Sequence, residues 1–113
     1  MIALCENTFE EWAKADPTRL LAFLVDPASL PHHLTFAAEI AGRDVGAAAI
    51  PALIALLAHP SAAAQEGAIA GLAWHLSDPC VVRALETAVN DPVFPHPEIQ
   101  ALAREALAEA GGV

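Results

Sequence analysis

The sequence predicts an all-α protein in which a pair of helices is repeated three times. A dipeptide ending in proline recurs 33 and 32 residues apart, as Asp26-Pro27, His59-Pro60 and Asp91-Pro92. Apolar residues four positions apart, which share one face of a helix, lie before and after each dipeptide. These pairs are Leu20 with Leu24, Leu53 with Leu57, Leu85 with Val89, Phe36 with Ile40, Ala68 with Leu72, and Ala103 with Leu107. Helix pairs repeated at this period are typical of an α-solenoid.

A short amino-terminal cap is expected over residues 1–16. Thr8 and Glu11 have the spacing of a capping box, which predicts that a helix of about eight residues begins at Thr8. Phe9 and Trp12 lie on one face of that helix, and Trp12 is expected to cover the first repeat. Asp16-Pro17 ends this helix and begins the next, because aspartate caps helices and proline suits the first helical turn.

Three repeats of two helices each make up the rest of a single domain, residues 1–113, and are expected at about 17–43, 44–77 and 78–110. The predicted helices cover approximately 17–25, 32–42, 47–58, 61–76, 79–90 and 96–110. Gly42 is expected to end the first repeat in a left-handed conformation, and Ser61 to cap the helix that follows it. Val93-Phe94-Pro95 is an insertion in the turn of the third repeat.

Composition and charge narrow the range of functions. Fourteen acidic residues against five Lys and Arg residues give a net charge of −9, and the bases are scattered along the chain. Nucleic acids and acidic lipids bind basic surfaces, so a protein partner is expected and a nucleic acid or a membrane is not. No apolar run has the length of a membrane span, and Cys5 and Cys80 belong to no paired motif, which favours the reducing cytoplasm.

Two segments, AIPALIALLAHPSAAAQEGAIAGLAWHL and HPEIQALAREALAEA, resemble HEAT repeats, particularly the short bacterial type that is similar to phycobilisome lyases. The resemblance covers about residues 17–110 and is weaker in the first repeat, where Phe36 replaces a small residue. It implies a right-handed, armadillo-like stack of antiparallel helix pairs, with the second helices on the concave face. The Val-Arg pair common in the family is replaced by His32-His33, Ala64-Gln65 and Ile99-Gln100.

Candidate partner-binding residues follow from the second helices. His33, Gln65 and Gln100 each precede a proposed core position by three residues and are expected to form one column of uncharged polar side chains. This column either lines a groove for a partner or consists of ordinary solvated positions. Trp74 lies beyond small residues on its helix and is either a contact residue or packing between repeats. The expected rim charges are Glu39, Glu66 and Arg104.

Metal binding and catalysis have little support in the sequence. His32 and His33 are adjacent and cannot face the same way on a helix, and the spacing of His75 and Cys80 matches no common zinc signature. There is no glycine-rich phosphate loop, and three serines have the positions of turn or cap residues, namely Ser29, Ser61 and Ser77. No cofactor, metal ligand or catalytic residue is therefore expected.

The leading hypothesis is a non-catalytic cytoplasmic protein-interaction scaffold that binds its partner on the concave face formed by the second helices. It is expected to be a monomer or a weak homodimer. The alternative, suggested by the resemblance, is a subunit of a bilin-lyase-like enzyme that binds a tetrapyrrole in a concave apolar pocket. Fold alone does not decide between these functions.

Overall fold

The computed structural model describes residues 6–92 and 94–111, and the regular secondary structure in these ranges is helical, without strands. The α-helices are α1 (Glu6–Ala15), α2 (Pro17–Val25), α3 (Pro31–Ile40), α4 (Ile50–Leu56), α5 (Ala62–Leu72), α6 (Pro79–Asn90) and α7 (Pro97–Gly111). The prediction of an all-α protein is therefore confirmed. Within the described ranges, every helix is too short or too polar to cross a membrane.

Aspartate and proline set several helix starts, as the sequence predicts. Pro17 and Pro79 are the first residues of α2 and α6, where a missing backbone amide costs no hydrogen bond. The Asp16 carboxylate accepts a hydrogen bond from the Arg19 amide at 3.2 Å, and the Asp78 carboxylate accepts one from the Cys80 amide at 2.8 Å. Both helices consequently have the predicted bounds.

Other boundaries differ from the predictions. The expected start at Thr8 is wrong, because α1 already includes Glu6. Gly42 does not form a left-handed stop but lies buried in a π-helical turn, Ala41–Val45, and the positive φ of 88° belongs to Gly46. Two 3-10 turns, Gly46–Ala49 and Ala73–His75, replace α-helix at the ends of the predicted helices 47–58 and 61–76.

The second helix of each predicted repeat packs against the next one in chain order. α3 packs extensively against α5, and α5 packs against α7. On the other side α2 packs against α4, whereas α4 and α6 touch only slightly. The amino-terminal helix α1 covers α2 and α3. The core lies between these helices and consists mainly of Leu and Ala side chains.

The contact between α3 and α5 is made by backbone as well as by side chains. A Cβ added to Gly67 would lie 2.7 Å from the Cα of Thr35, and one added to Gly71 would lie 2.5 Å from the carbonyl oxygen of Ala38. Only glycine permits so close an approach. The Thr35 hydroxyl also donates a hydrogen bond to the Ala63 carbonyl at 2.8 Å. α5 is thereby fixed directly against α3.

Hydrogen bonds at the start of each second helix define equivalent positions in the three predicted repeats. The amides of Leu34, Gln65 and Gln100 donate to the carbonyls of Leu30, Ser61 and His96, respectively. The residue three positions after each of these is a fully buried alanine, namely Ala37, Ala68 and Ala103. Leu34, Gln65 and Gln100 are therefore equivalent.

This register corrects the sequence alignment of the first repeat by one residue. Phe36 was expected to share the buried position of Ala68 and Ala103, but Ala37 occupies it. Phe36 is 47% exposed, although its predicted partner Ile40 is buried. The reason is that Leu30 and Ser61, which precede α3 and α5, are 31 residues apart, whereas the alignment of Phe36 with Ala68 assumed a spacing of 32.

Aromatic side chains connect α1 to the first repeat. The buried Phe9 ring lies 5.6 Å from Trp12 and 5.2 Å from Phe23. The Trp12 ring, partly buried against Phe23, carries the Arg19 guanidinium 4.3 Å from its centre. Trp12 therefore covers the first repeat as expected, and aromatic packing of this kind adds to simple burial.

An ion pair network fastens α1 to the π-helical turn. The Arg43 guanidinium bonds to the Asp44 carboxylate at 2.9 Å and to the Glu10 carboxylate at 3.1 Å. The hydrogen bond from Arg43 lowers the pKa of Asp44, and the same bond raises the pKa of Arg43. Because all three side chains are partly exposed, the network positions the turn more than it stabilises the fold.

Candidate functional site

The exposed side chains of α3, α5 with its following turn, and α7 form adjoining stripes, since these elements pack side by side. This surface, the second-helix face, comprises His32, Phe36, Glu39, Glu66, Trp74, Arg104 and Glu105, all of which are exposed. On α3 the members are three or four residues apart, which places them on one side of that helix. Trp74 lies eight residues beyond Glu66, and Arg104 and Glu105 are adjacent on α7. Because α3, α5 and α7 pack in that order, these exposed residues lie on neighbouring helices.

Two large apolar side chains are exposed on the second-helix face. Trp74 is 59% exposed and Phe36 is 47% exposed. The Trp74 side chain extends from a 3-10 turn that is held by its neighbour His75, whose Nε2 lies 2.8 Å from the carbonyl oxygen of Gly42. The exposure of Trp74 favours a contact role over packing between repeats, because tryptophan buried in such packing would be covered.

The predicted rim charges Glu39, Glu66 and Arg104 are all exposed on this face. Glu39 lies one helical turn beyond Phe36 on α3, and Glu105 adds a further carboxylate beside Arg104. Carboxylates thus outnumber cations among the residues of the second-helix face, which favours a partner surface with positive charge.

Gln65 and Gln100 do not present their amides to solvent. Gln65 is 1% exposed, and its Nε2 donates to the carbonyls of Leu57 at 3.2 Å and His59 at 2.7 Å. The Gln100 Nε2 donates in the same way to Ala88 at 3.0 Å and Asp91 at 2.8 Å. These carbonyls lie in the last turn of α6 or shortly after the ends of α4 and α6, where the helix supplies no donor for them. Both glutamines therefore close a turn inside the protein, a role that neither sequence-based interpretation of the column included.

His33 does not share a position with the two glutamines, because Leu34 is their equivalent in α3. The half-buried His33 ring lies 4.1 Å from the ring of His32 and 6.5 Å from that of Phe9. Burial lowers the pKa of His33, and the neighbouring His32 lowers it further. The neutral imidazole is thus favoured where α1 meets α3.

An apolar groove of about 800 Å³ lies between α4 and α6. The walls of this α4–α6 groove are mainly Ile54, Leu57, Ala84, Ala88 and Phe94. Cys80, Arg83 and Asp91 also line it, and Cys80 is an exposed free thiol. A smaller groove of about 420 Å³ lies between α2 and α4 and includes Leu24, Leu56 and Pro60.

Sequence analysis missed the α4–α6 groove. The available signals were the small residues Ala84 and Ala88, four positions apart on α6, and the inserted Phe94. Small side chains leave space between two helices, and the insertion places an aromatic ring beside that space. Whether these residues line a groove depends on the distance between α4 and α6, which no local sequence pattern specifies.

Gln65 also lines the α4–α6 groove, and one of its atoms is exceptional. Its Oε1 is buried and accepts no hydrogen bond from any part of the protein that the structure describes. Buried polar side-chain atoms usually have a partner, so an unpaired one calls for an explanation.

Metal binding finds no support in the described ranges, where no three His, Cys, Asp or Glu side chains are grouped closely enough to hold an ion. His75 and His96 each approach a carbonyl oxygen instead, that of Gly42 at 2.8 Å and that of Pro60 at 2.9 Å. Cys5 lies outside the described residues.

No protein-family model, no curated protein and no solved structure matches the chain.

Proposed function

We propose that the chain is a HEAT-like, right-handed α-solenoid of three helix pairs with α1 as its amino-terminal cap. The contacts of α3 with α5, of α5 with α7 and of α2 with α4 support this architecture, because stacked repeats contact only their neighbours. The equivalent hydrogen bonds at Leu34, Gln65 and Gln100 support three units of the same kind.

The proposed function is that of a non-catalytic cytoplasmic scaffold, a monomer or weak homodimer, that binds another protein through the second-helix face. The observation that carries this proposal is the exposure of Trp74 and Phe36 on that face. Exposed tryptophan and phenylalanine are frequent anchors of protein interfaces, where truncation of one residue costs much of the binding energy. The carboxylates of Glu39 and Glu66 fit a partner segment that combines basic and apolar residues.

Each proposed contact residue has a distinct part in this interface. Trp74 and Phe36 supply apolar area, while Glu39, Glu66 and Arg104 set the charge of the surrounding surface. His33 lies beside the α1 junction at the edge of the face. Gln65 and Gln100 contribute indirectly, by fixing the turns before α5 and α7 through their amide hydrogen bonds.

Affinity capture from a lysate of the source organism, followed by a binding measurement with the recovered protein, tests the proposal. The informative variant is Phe36→Ala with Trp74→Ala. The matched control is Val25→Ala with Leu30→Ala, because these residues are 55% and 53% exposed but do not belong to the second-helix face. We expect the wild type and the control to bind with equal affinity and the Phe36/Trp74 variant to bind at least about tenfold more weakly. Equal binding by all three proteins would reject the second-helix face as the interface.

A second candidate function is the bilin-lyase-like subunit. The observation in its favour is an apolar groove of about 800 Å³, which is large enough for a substantial ligand. This groove lies between first helices, however, and not on the second-helix face where the alternative expects its pocket. Mixing the protein with a bilin and recording the visible absorption spectrum tests this candidate, since a bound tetrapyrrole would shift its absorption and an unbound one would not.

A further inference from the structure

The orientation of the Gln65 side-chain amide, which leaves its oxygen unpaired, is set by the turn before α5. Both protons of the Gln65 amide nitrogen are used, one for the Leu57 carbonyl and one for the His59 carbonyl. Rotating the amide by a half turn would place its oxygen against two carbonyl oxygens and remove both bonds. The orientation is therefore determined by the carbonyls, and Oε1 is left without a donor.

The unpaired Gln65 Oε1, which destabilises the folded protein, belongs to a residue that lines the α4–α6 groove. A buried acceptor without a donor destabilises a protein by about 1–3 kcal/mol, relative to one that is paired. Gln65 borders a groove whose other walls are largely apolar, among them Leu57, Ala88 and Phe94. Ligand sites in proteins commonly have this composition, an apolar cleft of some hundreds of cubic ångströms with a few polar groups that fix orientation.

We propose that the α4–α6 groove binds a small, uncharged, mostly apolar molecule whose N–H or O–H group donates a hydrogen bond to Gln65 Oε1. Arg83 and Asp91 both line the groove, so their opposite charges offset each other and favour an uncharged ligand over an ion of either sign. Because Oε1 is closed to solvent in the free protein, the side chains that line the groove part slightly as the donor reaches it. This site is separate from the second-helix face and does not depend on the function proposed for that face.

A pair of matched probes tests the donor requirement on the wild-type protein. 4-Hexylphenol carries an O–H donor on an apolar body, and 4-hexylanisole replaces that proton by a methyl group. Isothermal titration calorimetry is expected to show that the phenol binds about tenfold or more tightly than the ether, because the ether leaves Oε1 unpaired. Equal affinities, or no binding of the phenol, would overturn the proposal.

A matched pair of variants then assigns the difference to Gln65. Gln65→Met removes the oxygen, and Gln100→Met removes the corresponding turn-closing amide from a residue that does not line the groove. We expect the preference for the phenol to disappear in Gln65→Met and to persist in Gln100→Met. A preference that survives Gln65→Met, or that is lost equally in both variants, would contradict the assignment.

The alkylation rate of Cys80 reports whether the groove is occupied, without any substitution of Gln65. It is exposed and lines the groove, so a bound molecule should shield its thiol from alkylation. In a Cys5→Ser background, the rate of Cys80 alkylation is expected to fall severalfold at saturating 4-hexylphenol. An unchanged rate would place the phenol elsewhere and refute the site, even if binding is observed.

Discussion

The turn between α2 and α3 (the first turn) and the turn between α4 and α5 (the second turn) are closed by different side chains, and the turn between α6 and α7 is the third. After α2, the Ser29 hydroxyl donates one hydrogen bond, to the Phe23 carbonyl at 2.7 Å. After α4, the Gln65 amide donates two, to the carbonyls of Leu57 and His59. The serine comes from the turn itself, whereas the glutamine comes from the first part of the following helix. The third turn follows the second, with Gln100 in place of Gln65.

This difference shows that a helix end can be closed either by a turn residue or by the following helix. Turn length alone does not decide between them, because three residues separate Pro92 from His96 and Gln100 still closes the third turn. Pro27 is followed by two residues before Leu30, which precedes α3, so the first turn has room for a serine that folds back on α2. Pro60 is followed directly by Ser61, which precedes α5, so no turn residue is available and the helix must supply the donor. Once Ser29 has closed the first turn, the position equivalent to Gln65 can hold Leu34, which is buried in the core.

Replacing Gln65 with methionine removes the hydrogen bonds that close the second turn, and we expect it to lower the free energy of unfolding more than the other substitutions. Methionine has a similar size but no donor, so the Leu57 and His59 carbonyls would lose their hydrogen bonds. We expect the free energy of unfolding, measured by urea denaturation, to fall by about 2 kcal/mol. A loss below about 0.5 kcal/mol would mean that water satisfies both carbonyls and that the amide is dispensable.

Gln100→Met applies the same change to the third turn. The Gln100 side chain is only partly buried, so water can replace some of what the amide supplies to Ala88 and Asp91. The expected loss is about 1.5 kcal/mol, smaller than for Gln65→Met in the same urea titration. A larger loss than in Gln65→Met would contradict the idea that burial of the amide determines its contribution.

Ser29→Ala removes the one hydrogen bond that the Ser29 hydroxyl donates in the turn between α2 and α3. Only the Phe23 carbonyl loses a partner, and the site is partly buried. The free energy of unfolding should therefore fall by about 1 kcal/mol, which is the least of the three substitutions. Were the loss to equal that of Gln65→Met, one hydroxyl would be as effective as an amide with two bonds, and the comparison between the turns would fail.

The pH dependence of stability should show a smaller effect, confined to the first repeat. Burial lowers the pKa of His33 in the folded protein, and nearby His32 lowers it further. The unfolded chain then binds a proton more readily than the folded one, so stability falls as the pH drops below the unfolded value of about 6.5. Thermal unfolding at pH 8 and pH 5 should show a smaller decrease in Tm for His33→Gln than for the wild type. Identical decreases would show that His33 titrates alike in both states.

The sequence was sufficient to predict the bounds of helices whose two ends are both marked by capping residues. Asp16-Pro17 and Asp78-Pro79 specify how α2 and α6 begin, and Asp26 and Asp91 follow their last residues, so both helices were predicted with the observed bounds. The all-helical fold also followed from the apolar spacing, which depends only on neighbouring residues.

The register of the second helices was beyond what the prolines could specify. The positions before α5 and α7, Ser61 and His96, are 35 residues apart, although Pro60 and Pro92 are 32 apart. Turn length varies, so the distance from the proline to the following helix differs between repeats. The sequence alignment placed His33 32 residues before Gln65, one more than the 31 that separate Leu30 from Ser61. This is why His33 was grouped with the glutamines, and why the buried position of Leu34 and the exposure of Phe36 were not foreseen.

The candidate site shows the same limit. The exposed charges of Glu39, Glu66 and Arg104 could be predicted, since charged residues are rarely buried. The turn-closing role of Gln65 and Gln100 could not, because it depends on carbonyls that follow the end of the preceding helix. The α4–α6 groove depends on the distance between two helices that scarcely touch, and no sequence pattern reports such a distance.

The glycines of α5 have a consequence for how the molecule can change shape. At Gly67 and Gly71 the backbones of α3 and α5 already lie in contact, so the two helices cannot come closer at these points. The α3–α5 pair is thus a rigid block with a fixed spacing. Any bending of the chain around a bound partner has to occur where side chains still separate the helices, at the junction of α4 and α5 with α6 and α7. That junction also contains the α4–α6 groove, so bending there would change the width of its opening.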